Sequence, residues 1–222
     1  MSTLSTQPPR TLKEKAAVLF RSRRIMAWEI GGIFFINIVG GSLHFAFELS
    51  GFTRWVGFFA SVNESTWEHL KFYFWAGLLY ALIEYTYVKD DANNFPLAKA
   101  ISFLVTPIVL CLFFYGYLAI TLPLYGRGYF LADIACGVIG VIAGQIVSSY
   151  FLQREPLGAK AKQVGLGLIA ALTIMFSTFT FYPPKFFLFE DFLGHEFTGQ
   201  YGILEDYGPY MVFEFDTDLE EE

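Results

Sequence analysis

The sequence predicts an all-α fold, namely a polytopic transmembrane helical bundle of about five spans with one short interfacial segment. Hydrophobic residues make up 55% of the chain and charged residues only 16%, whereas a soluble domain carries roughly a quarter charged residues. The aromatic residues among them make up 19% of the chain. This share suits a surface that faces lipid tails, with Trp and Tyr at the interfaces. The lipid bilayer is therefore the first expected partner.

Five apolar segments are long enough to cross a membrane, because a helix needs about twenty residues to span a hydrocarbon core of roughly 30 Å. The predicted spans are residues 25–47, 67–88, 96–122, 129–152 and 164–182. Residues 52–60 are aromatic but too short to cross, so they are expected to lie in the interface. These segments form one transmembrane domain, residues 25–182.

Polar segments flank this domain on both sides. Residues 1–24 are basic and are predicted to be a cytoplasmic leader that is not cleaved, since the following apolar stretch is too long for a signal-peptide core. Residues 183–222 are predicted to form an outer lid and an acidic tail. After Pro184 the chain holds eleven acidic residues and a single lysine, Lys185. Such a segment repels nucleic acid, which is excluded as a partner.

The orientation follows from the placement of Lys and Arg, which are retained on the cytoplasmic side of short loops. With the amino terminus inside, eleven of the fifteen basic residues lie on the cytoplasmic side, three lie outside, and Lys71 lies within the second span. The sequence thus predicts a multi-pass protein of the cell membrane. Its amino terminus is expected in the cytoplasm and its carboxyl terminus outside.

The densest polar signal opens the second span. Capping explains part of it, because Asn63 or Ser65 can accept hydrogen bonds from the first helical turn. Capping does not require Glu64, Glu68 and His69 to stand together beside Lys71 at the edge of an apolar span. An unpaired charge there costs several kcal/mol, on the order of 2.5 to 3.5 at mid-membrane. A pair between Glu68 and Lys71, three residues apart, is the simpler alternative.

Further ionisable residues are expected at the same end of the bundle. His44 and Glu48 are four residues apart at the outer end of the first span, and Asp133 lies about one turn inside the outer end of the fourth. A divalent metal such as zinc is a possible cofactor, with predicted ligands His44, Glu48, Glu68 and His69. The predicted acid-base residues are Glu64, Glu68, His69 and Asp133. A structural network of caps and salt bridges is the alternative.

Other polar and small residues receive ordinary interpretations. His195 and Glu196 could reach down toward the cluster, but as loop residues they are expected to be solvated. Glu29 and Glu84 are expected to pair with Arg24 or Lys89. Cys111 and Cys136 are expected to pack as free thiols. In the fourth span, Gly140 and Gly144 form a GxxxG motif, which favours close helix packing.

The segment from Val62 to Lys71, Val-Asn-Glu-Ser-Thr-Trp-Glu-His-Leu-Lys, resembles the VNESxWEHLK signature of an uncharacterised family of prokaryotic integral membrane proteins. The resemblance extends to Gly41–Phe45 and Gly199–Ile203, and so covers most of residues 25–203. The chain departs from the family in its basic leader and its longer acidic carboxyl terminus. The resemblance implies a polytopic membrane fold and no established activity.

Three functions remain open from the sequence. The first is a membrane-embedded hydrolase, metal-dependent or acid-base, that acts on lipid-type substrates at the outer face. The second is a small cation- or proton-coupled transporter or channel, which would also need polar groups in the inner half of the bundle. The third is a structural or partner-binding membrane protein that docks through its lid and acidic tail. The sequence names no protein partner and does not decide whether the chain is an enzyme.

Overall fold

The computed structural model describes residues 21–213, and the described chain is an all-α bundle of five long helices. The helices are α1 Arg23–Leu49, α2 Thr66–Val88, α3 Phe95–Tyr125, α4 Phe130–Leu152 and α5 Ala159–Thr178. Short 3-10 turns lie at Arg54–Phe58, Leu193–His195 and Gly208–Tyr210. The predicted all-α bundle is confirmed, and each predicted span coincides with one helix. Most of the predicted leader and the end of the acidic tail lie outside the described residues.

Four of the helices, α1, α3, α4 and α5, are long and apolar enough to cross a membrane. Their outward faces carry large apolar side chains, such as Phe34, Leu112 and Leu131, which are more than 60% exposed. Such faces suit a lipid environment, where no water is present to penalise them. The chain thus has the composition and architecture of a multi-pass membrane protein.

The remaining helix, α2, carries more buried charged residues than any other helix of the described chain. Glu68, Lys71 and Glu84 all lie on α2, and all three are buried. Its 23 residues match the length of a span, but its ionisable groups lower its apolar character. Glu68, Lys71 and Glu84 are directed toward the interior of the protein, where each charge finds partners. This allows α2 to be accommodated inside the bundle.

Helix packing relies on glycines at close crossings. A methyl group added at Gly140 would lie 2.8 Å from the carbonyl oxygen of Thr106, and one at Gly144 would lie 2.9 Å from Ser102 Oγ. Both contacts are with α3, so the predicted packing role of this GxxxG motif is confirmed. Cys111 and Cys136 are free, also as expected.

Residues 183–213, here called the cap segment, lie across the end of the bundle where α2 begins. The backbone N–H of Trp67 donates to the carbonyl of Leu188 at 2.9 Å, and the side-chain amide of Asn63 donates to that of Gly202 at 2.7 Å. We call this end of the bundle the cap end and the opposite end, where α1 begins, the leader end. The predicted interfacial segment, residues 52–60, also lies at the cap end and contains the 3-10 turn Arg54–Phe58.

Candidate metal centre and cavity

Three ligand-type side chains meet at the cap end. His44 lies near the end of α1, Glu64 lies two residues before α2, and His69 lies in the first turn of α2. The Nε2 atoms of His44 and His69 are 3.2 Å apart. Glu64 places Oε1 3.7 Å from His44 Nε2 and Oε2 3.5 Å from His69 Nε2. Among residues 21–213 this is the one group of three ligand-type side chains close enough to share a metal ion.

Local hydrogen bonds explain why Glu64 and His69 reach this position. Ser65 caps α2 by accepting from the N–H of Glu68, as its spacing predicts. The N–H of Glu64 donates to Asp191 Oδ1 at 2.9 Å, which ties the residue to the cap segment. One turn into α2, His69 Nδ1 lies 2.9 Å from the carbonyl oxygen of Ser65.

The contact between His69 and Ser65 defines which ring nitrogen carries the proton. A carbonyl oxygen can only accept, so Nδ1 of His69 is the donor, and Nε2 of the neutral ring bears a lone pair. That lone pair is directed toward His44 and Glu64. The same arrangement, with one imidazole nitrogen bound to a backbone carbonyl and the other free, is typical of histidines that ligate metals.

The charge of Glu64 is stabilised by the two imidazoles. Burial raises the pKa of this carboxyl, but its contact with His44 and the charges of protonated His69 and His44 outweigh burial and lower the pKa from 4.5 to about 2. Glu64 is therefore ionised at neutral pH. It supplies a negative oxygen ligand beside two nitrogen ligands.

This cluster opens into a cavity of about 540 Å³ between α1, α2, α3, α4 and the cap segment. His44, Glu64 and His69 contribute to its wall, together with Asp133 and His195. All three histidines of the chain thus line one cavity. Most of the remaining wall is aromatic or aliphatic and includes Phe45, Phe72, Phe114, Phe130, Ile134 and Phe192.

Asp133 forms a second polar group in the same cavity. Its Oδ2 lies 3.2 Å from His195 Nε2, and its Oδ1 accepts a hydrogen bond from the hydroxyl of Tyr117. The expectation that His195 is a solvated loop residue is wrong, since its side chain is only 20% exposed. A methyl group on Gly128 would lie 2.3 Å from His195 Nε2, so this contact requires glycine there.

Glu48 lies outside the cluster. Its Oε1 accepts hydrogen bonds from the backbone N–H groups of Val212 and Phe213, at 2.8 and 2.6 Å, and its side chain is buried. The residue thus anchors the cap segment to α1. Glu48 lies four residues after His44, but its carboxylate is hydrogen-bonded to the cap segment and not directed toward the cluster.

Glu68 also lies outside the cluster. Its Oε2 accepts from the N–H of Val62 and pairs with Lys71, while its Oε1 accepts from the hydroxyl of Thr180 at 2.7 Å. Lys71 donates in turn to the carbonyl of Gly57 and to Thr180. Glu68 is therefore part of a closed structural network, which was the simpler reading of its spacing from Lys71. The structure gives it no contact with the cavity.

The expected partners of Glu29 and Glu84 are wrong. Both carboxylates pair with Lys99, at 2.8 and 2.5 Å, and Arg24 pairs with Asp91 at the surface. Lys99 is the fourth residue of the predicted third span, residues 96–122, and was counted among the basic residues of the cytoplasmic side. The ion pairs draw it into the bundle, so the leader end contains buried ionisable groups.

Sequence reasoning also missed Tyr117 as a partner of Asp133. Tyr117 belongs to a span rich in Phe and Tyr, where no pattern distinguishes one ring from the next. For His195 a weak signal existed, because the chain has only three histidines.

The family model described as "Family of unknown function (DUF6512)" matches residues 19–203. The chain belongs to this family. The DUF6512 match confirms the resemblance to an uncharacterised family, and it includes Val62–Lys71 and Gly199–Ile203. It ends before the acidic tail, the region in which the chain was expected to depart from its relatives. No curated protein and no solved structure matches the DUF6512 chain significantly.

Proposed function

We propose that this DUF6512 protein binds a divalent metal, preferably zinc, through His44, Glu64 and His69, and that it hydrolyses lipid-type substrates in the adjoining cavity. The observation that carries the proposal is the spacing of the three donor groups, at 3.2, 3.5 and 3.7 Å. Two nitrogens bound to one tetrahedral zinc, each about 2.05 Å away, are about 3.3 Å apart. The imidazole separation fits this value, and the Glu64 oxygens need to move by only a few tenths of an ångström.

The donor set also suits a catalytic centre. Two histidines and one glutamate are the protein ligands of several hydrolytic zinc sites, in which water takes the fourth position. Bound zinc would lower the pKa of that water to about 7 and so supply a nucleophile. The cavity beside His44 and His69 provides the space for water and for a substrate carbonyl.

The rest of the cavity favours a substrate with an apolar chain. Its aromatic and aliphatic wall can cover acyl chains, and its polar groups are concentrated at the metal ligands and at Asp133 with His195. In the reaction that we infer, the oxygen of water joins the carbonyl carbon of a lipid ester and the bond to the alcohol oxygen breaks. One proton passes to that leaving oxygen, and His195, oriented by Asp133, is the group placed to carry it.

Lipid turnover by purified full-length protein tests this proposal. The protein is loaded with zinc in detergent micelles that contain a total membrane-lipid extract, and released fatty acids are measured. We expect Glu64→Gln to lower turnover at least 100-fold, because it removes the anionic ligand and leaves the side-chain volume unchanged. Glu205→Gln, at an exposed position of the cap segment, is the matched control and should retain wild-type turnover. Equal rates for wild type and Glu64→Gln would contradict the proposal.

A cation- or proton-coupled transporter is the second candidate. It is favoured by one specific observation, the buried ionisable groups at both ends of the bundle, His44 with Glu64 at the cap end and Lys99 with its two glutamates at the leader end. Flux of protons or zinc into sealed proteoliposomes distinguishes it from the hydrolase. A transporter should lose flux in Glu84→Gln, whereas a hydrolase should retain its turnover in that variant.

A further inference from the structure

A second buried polar cluster lies at the leader end, far along the helices from the metal ligands. The ammonium of Lys99 on α3 lies 2.8 Å from Glu29 Oε1 on α1 and 2.5 Å from Glu84 Oε2 on α2. The three side chains are at most 4% exposed. One buried cation thus holds two buried carboxyl groups that come from different helices.

The neighbours of this cluster add hydrogen bonds but no second positive charge. From α4, the hydroxyl of Ser148 donates to Glu29 Oε1 at 2.7 Å and the amide of Gln145 donates to the Glu29 carbonyl at 3.2 Å. From α2, Tyr80 interacts electrostatically with both carboxyls, while its hydroxyl donates to the carbonyl of Trp28. The cations near the start of α1 lie at the surface, where Arg24 pairs with Asp91, Arg21 pairs with Glu155 and Arg23 is exposed.

Three carboxyl oxygens of the cluster, Glu29 Oε2, Glu84 Oε1 and Glu84 Oε2, are buried and accept no hydrogen bond from any residue between 21 and 213. Glu84 Oε2 lies against the ammonium of Lys99, so Glu29 Oε2 and Glu84 Oε1 are the two that lack any partner. Buried polar atoms of native proteins are nearly always hydrogen-bonded, and each exception calls for an explanation. The side chains that carry these two atoms already interact with each other as well as with Lys99.

Charge balance points to the ligand that this cluster takes. Two carboxylates and one ammonium carry a net charge of −1, and an uncompensated charge buried between apolar helices costs several kcal/mol. One added proton makes the cluster neutral and gives one of the two unpartnered oxygens an O–H to donate. A metal cation is disfavoured because the ammonium of Lys99 already occupies the position between the carboxyl groups.

We propose that Glu29, Glu84 and Lys99 form a proton-binding site at the leader end of the bundle, which holds one proton on its pair of carboxyl groups at neutral pH. The site is separate from the metal centre and uses none of its residues. Because it can gain or lose a proton within the span region, it would couple protonation to the contacts between α1, α2 and α3.

Infrared spectroscopy of the full-length protein, prepared without metal, tests this proposal. Wild type at pH 7 should show the carbonyl stretching band of a buried, protonated carboxylic acid. Glu29→Gln and Glu84→Gln should each abolish that band, because each leaves one carboxylate fully paired with Lys99. Glu155→Gln, at an exposed carboxylate, should leave it unchanged.

Two results would overturn the proton site. One is the absence of the band from wild type at pH 7, and the other is its persistence in both Glu29→Gln and Glu84→Gln. Glutamine has the size of glutamate and keeps Lys99 paired, so these variants should fold. Because no metal or lipid substrate is present, the outcome is independent of the proposed hydrolase activity.

Discussion

His44 and His69 face each other through their Nε2 atoms at 3.2 Å, a separation at which two protonated rings would repel. His69 Nδ1 donates to Ser65, so its Nε2 is a free acceptor whenever the ring is neutral. In that state the pair can share one proton from His44 or bind one metal ion. Protons and metal therefore compete for the same two nitrogen atoms.

Zinc affinity should fall steeply as the pH is lowered from 7.5 to 5.5. Glu64 stays ionised in this range, since the two imidazoles hold its pKa at about 2, so the competition arises at the histidines. Because zinc must displace the proton from each imidazole that carries one, this change is expected to weaken binding by about 10- to 100-fold. Isothermal titration of the purified protein with zinc measures it. An affinity that does not change with pH would show that the histidines are not the ligands.

The charge of Glu64 predicts a different effect on the stability of the metal-free protein. A carboxyl whose pKa is lowered on folding stabilises the folded state above the ordinary value of 4.5, and this contribution is lost as the pH falls toward about 2. The difference in melting temperature between wild type and Glu64→Gln should thus persist from pH 7 to 4.5 and shrink below that. A difference that grows as the pH falls from 4.5 toward 2 would contradict the ion pairing.

At the scale of helices, the network of Glu68, Lys71 and Thr180 joins three elements at the cap end. It connects the start of α2 to the interfacial 3-10 turn through Gly57 and to the residues that follow α5 through Thr180. The side chains of Glu68 and Lys71 are 2% and 0% exposed. Removing one member leaves the other charge buried without a partner.

Lys71→Met should lower the free energy of unfolding by about 3 to 5 kcal/mol, the usual cost of breaking a buried ion pair from one side. Thermal unfolding in detergent measures this loss. Lys185→Met removes an exposed lysine of the cap segment and should change stability by less than about 0.5 kcal/mol. The double variant Lys71→Met with Glu68→Gln should recover part of the loss. Equal effects of Lys71→Met and Lys185→Met would refute the role of the network.

The close crossing of α3 and α4 at Gly144 gives a second prediction about helix packing. Gly144→Ala should destabilise the protein by about 1 to 3 kcal/mol, since overpacking forces a shift of the backbone, and the added methyl would lie 3.1 Å from the carbonyl oxygen of Ser102. Gly116→Ala, on α3 with no neighbour within 4 Å of the added methyl, is the matched control and should be neutral. Comparable losses in both variants would mean that the close approach of α3 and α4 at Gly144 is not what limits stability, because Ala favours a helix more than Gly does.

The helices were predictable from the sequence to within a few residues at most ends, because runs of apolar residues and caps such as Ser65 act locally. The site was predictable only in part. His44, Glu64, His69 and Asp133 line one cavity as expected of one end of the bundle. The pair between Glu68 and Lys71 was one of the alternatives drawn from the sequence. The contacts of Glu68 with Thr180 and of Glu48 with Val212 and Phe213 were not predictable, because these partners lie 112 to 165 positions away and only the fold brings them together.

At the scale of the whole molecule, the two polar sites are arranged at opposite ends of one bundle. Two helices contribute to both sites through their opposite ends, α1 with Glu29 and His44 and α2 with Glu84 and His69. The basic residues flank the leader end, and the acidic segment follows the cap end. By the retention of positive charge on the cytoplasmic side, the cavity should face outward.

Thiol labelling tests this sidedness. In a background with Cys111→Ala and Cys136→Ala, a cysteine at exposed Glu205 should react with a membrane-impermeant reagent in sealed, right-side-out vesicles. A cysteine at exposed Glu155, between α4 and α5, should react only after permeabilisation. Labelling of both positions in sealed vesicles would show that α5 does not cross the membrane between them and would contradict the predicted topology.

X-ray absorption at the zinc edge shows whether His44, Glu64 and His69 together hold one metal ion, as we propose. Full-length protein loaded with one equivalent of zinc should show two imidazole nitrogens and oxygen ligands at about 2.0 to 2.2 Å. The double variant His44→Gln with His69→Gln should lose this signal and the bound zinc. If wild type retains no zinc after desalting, or binds it without imidazole ligands, the metal centre does not exist.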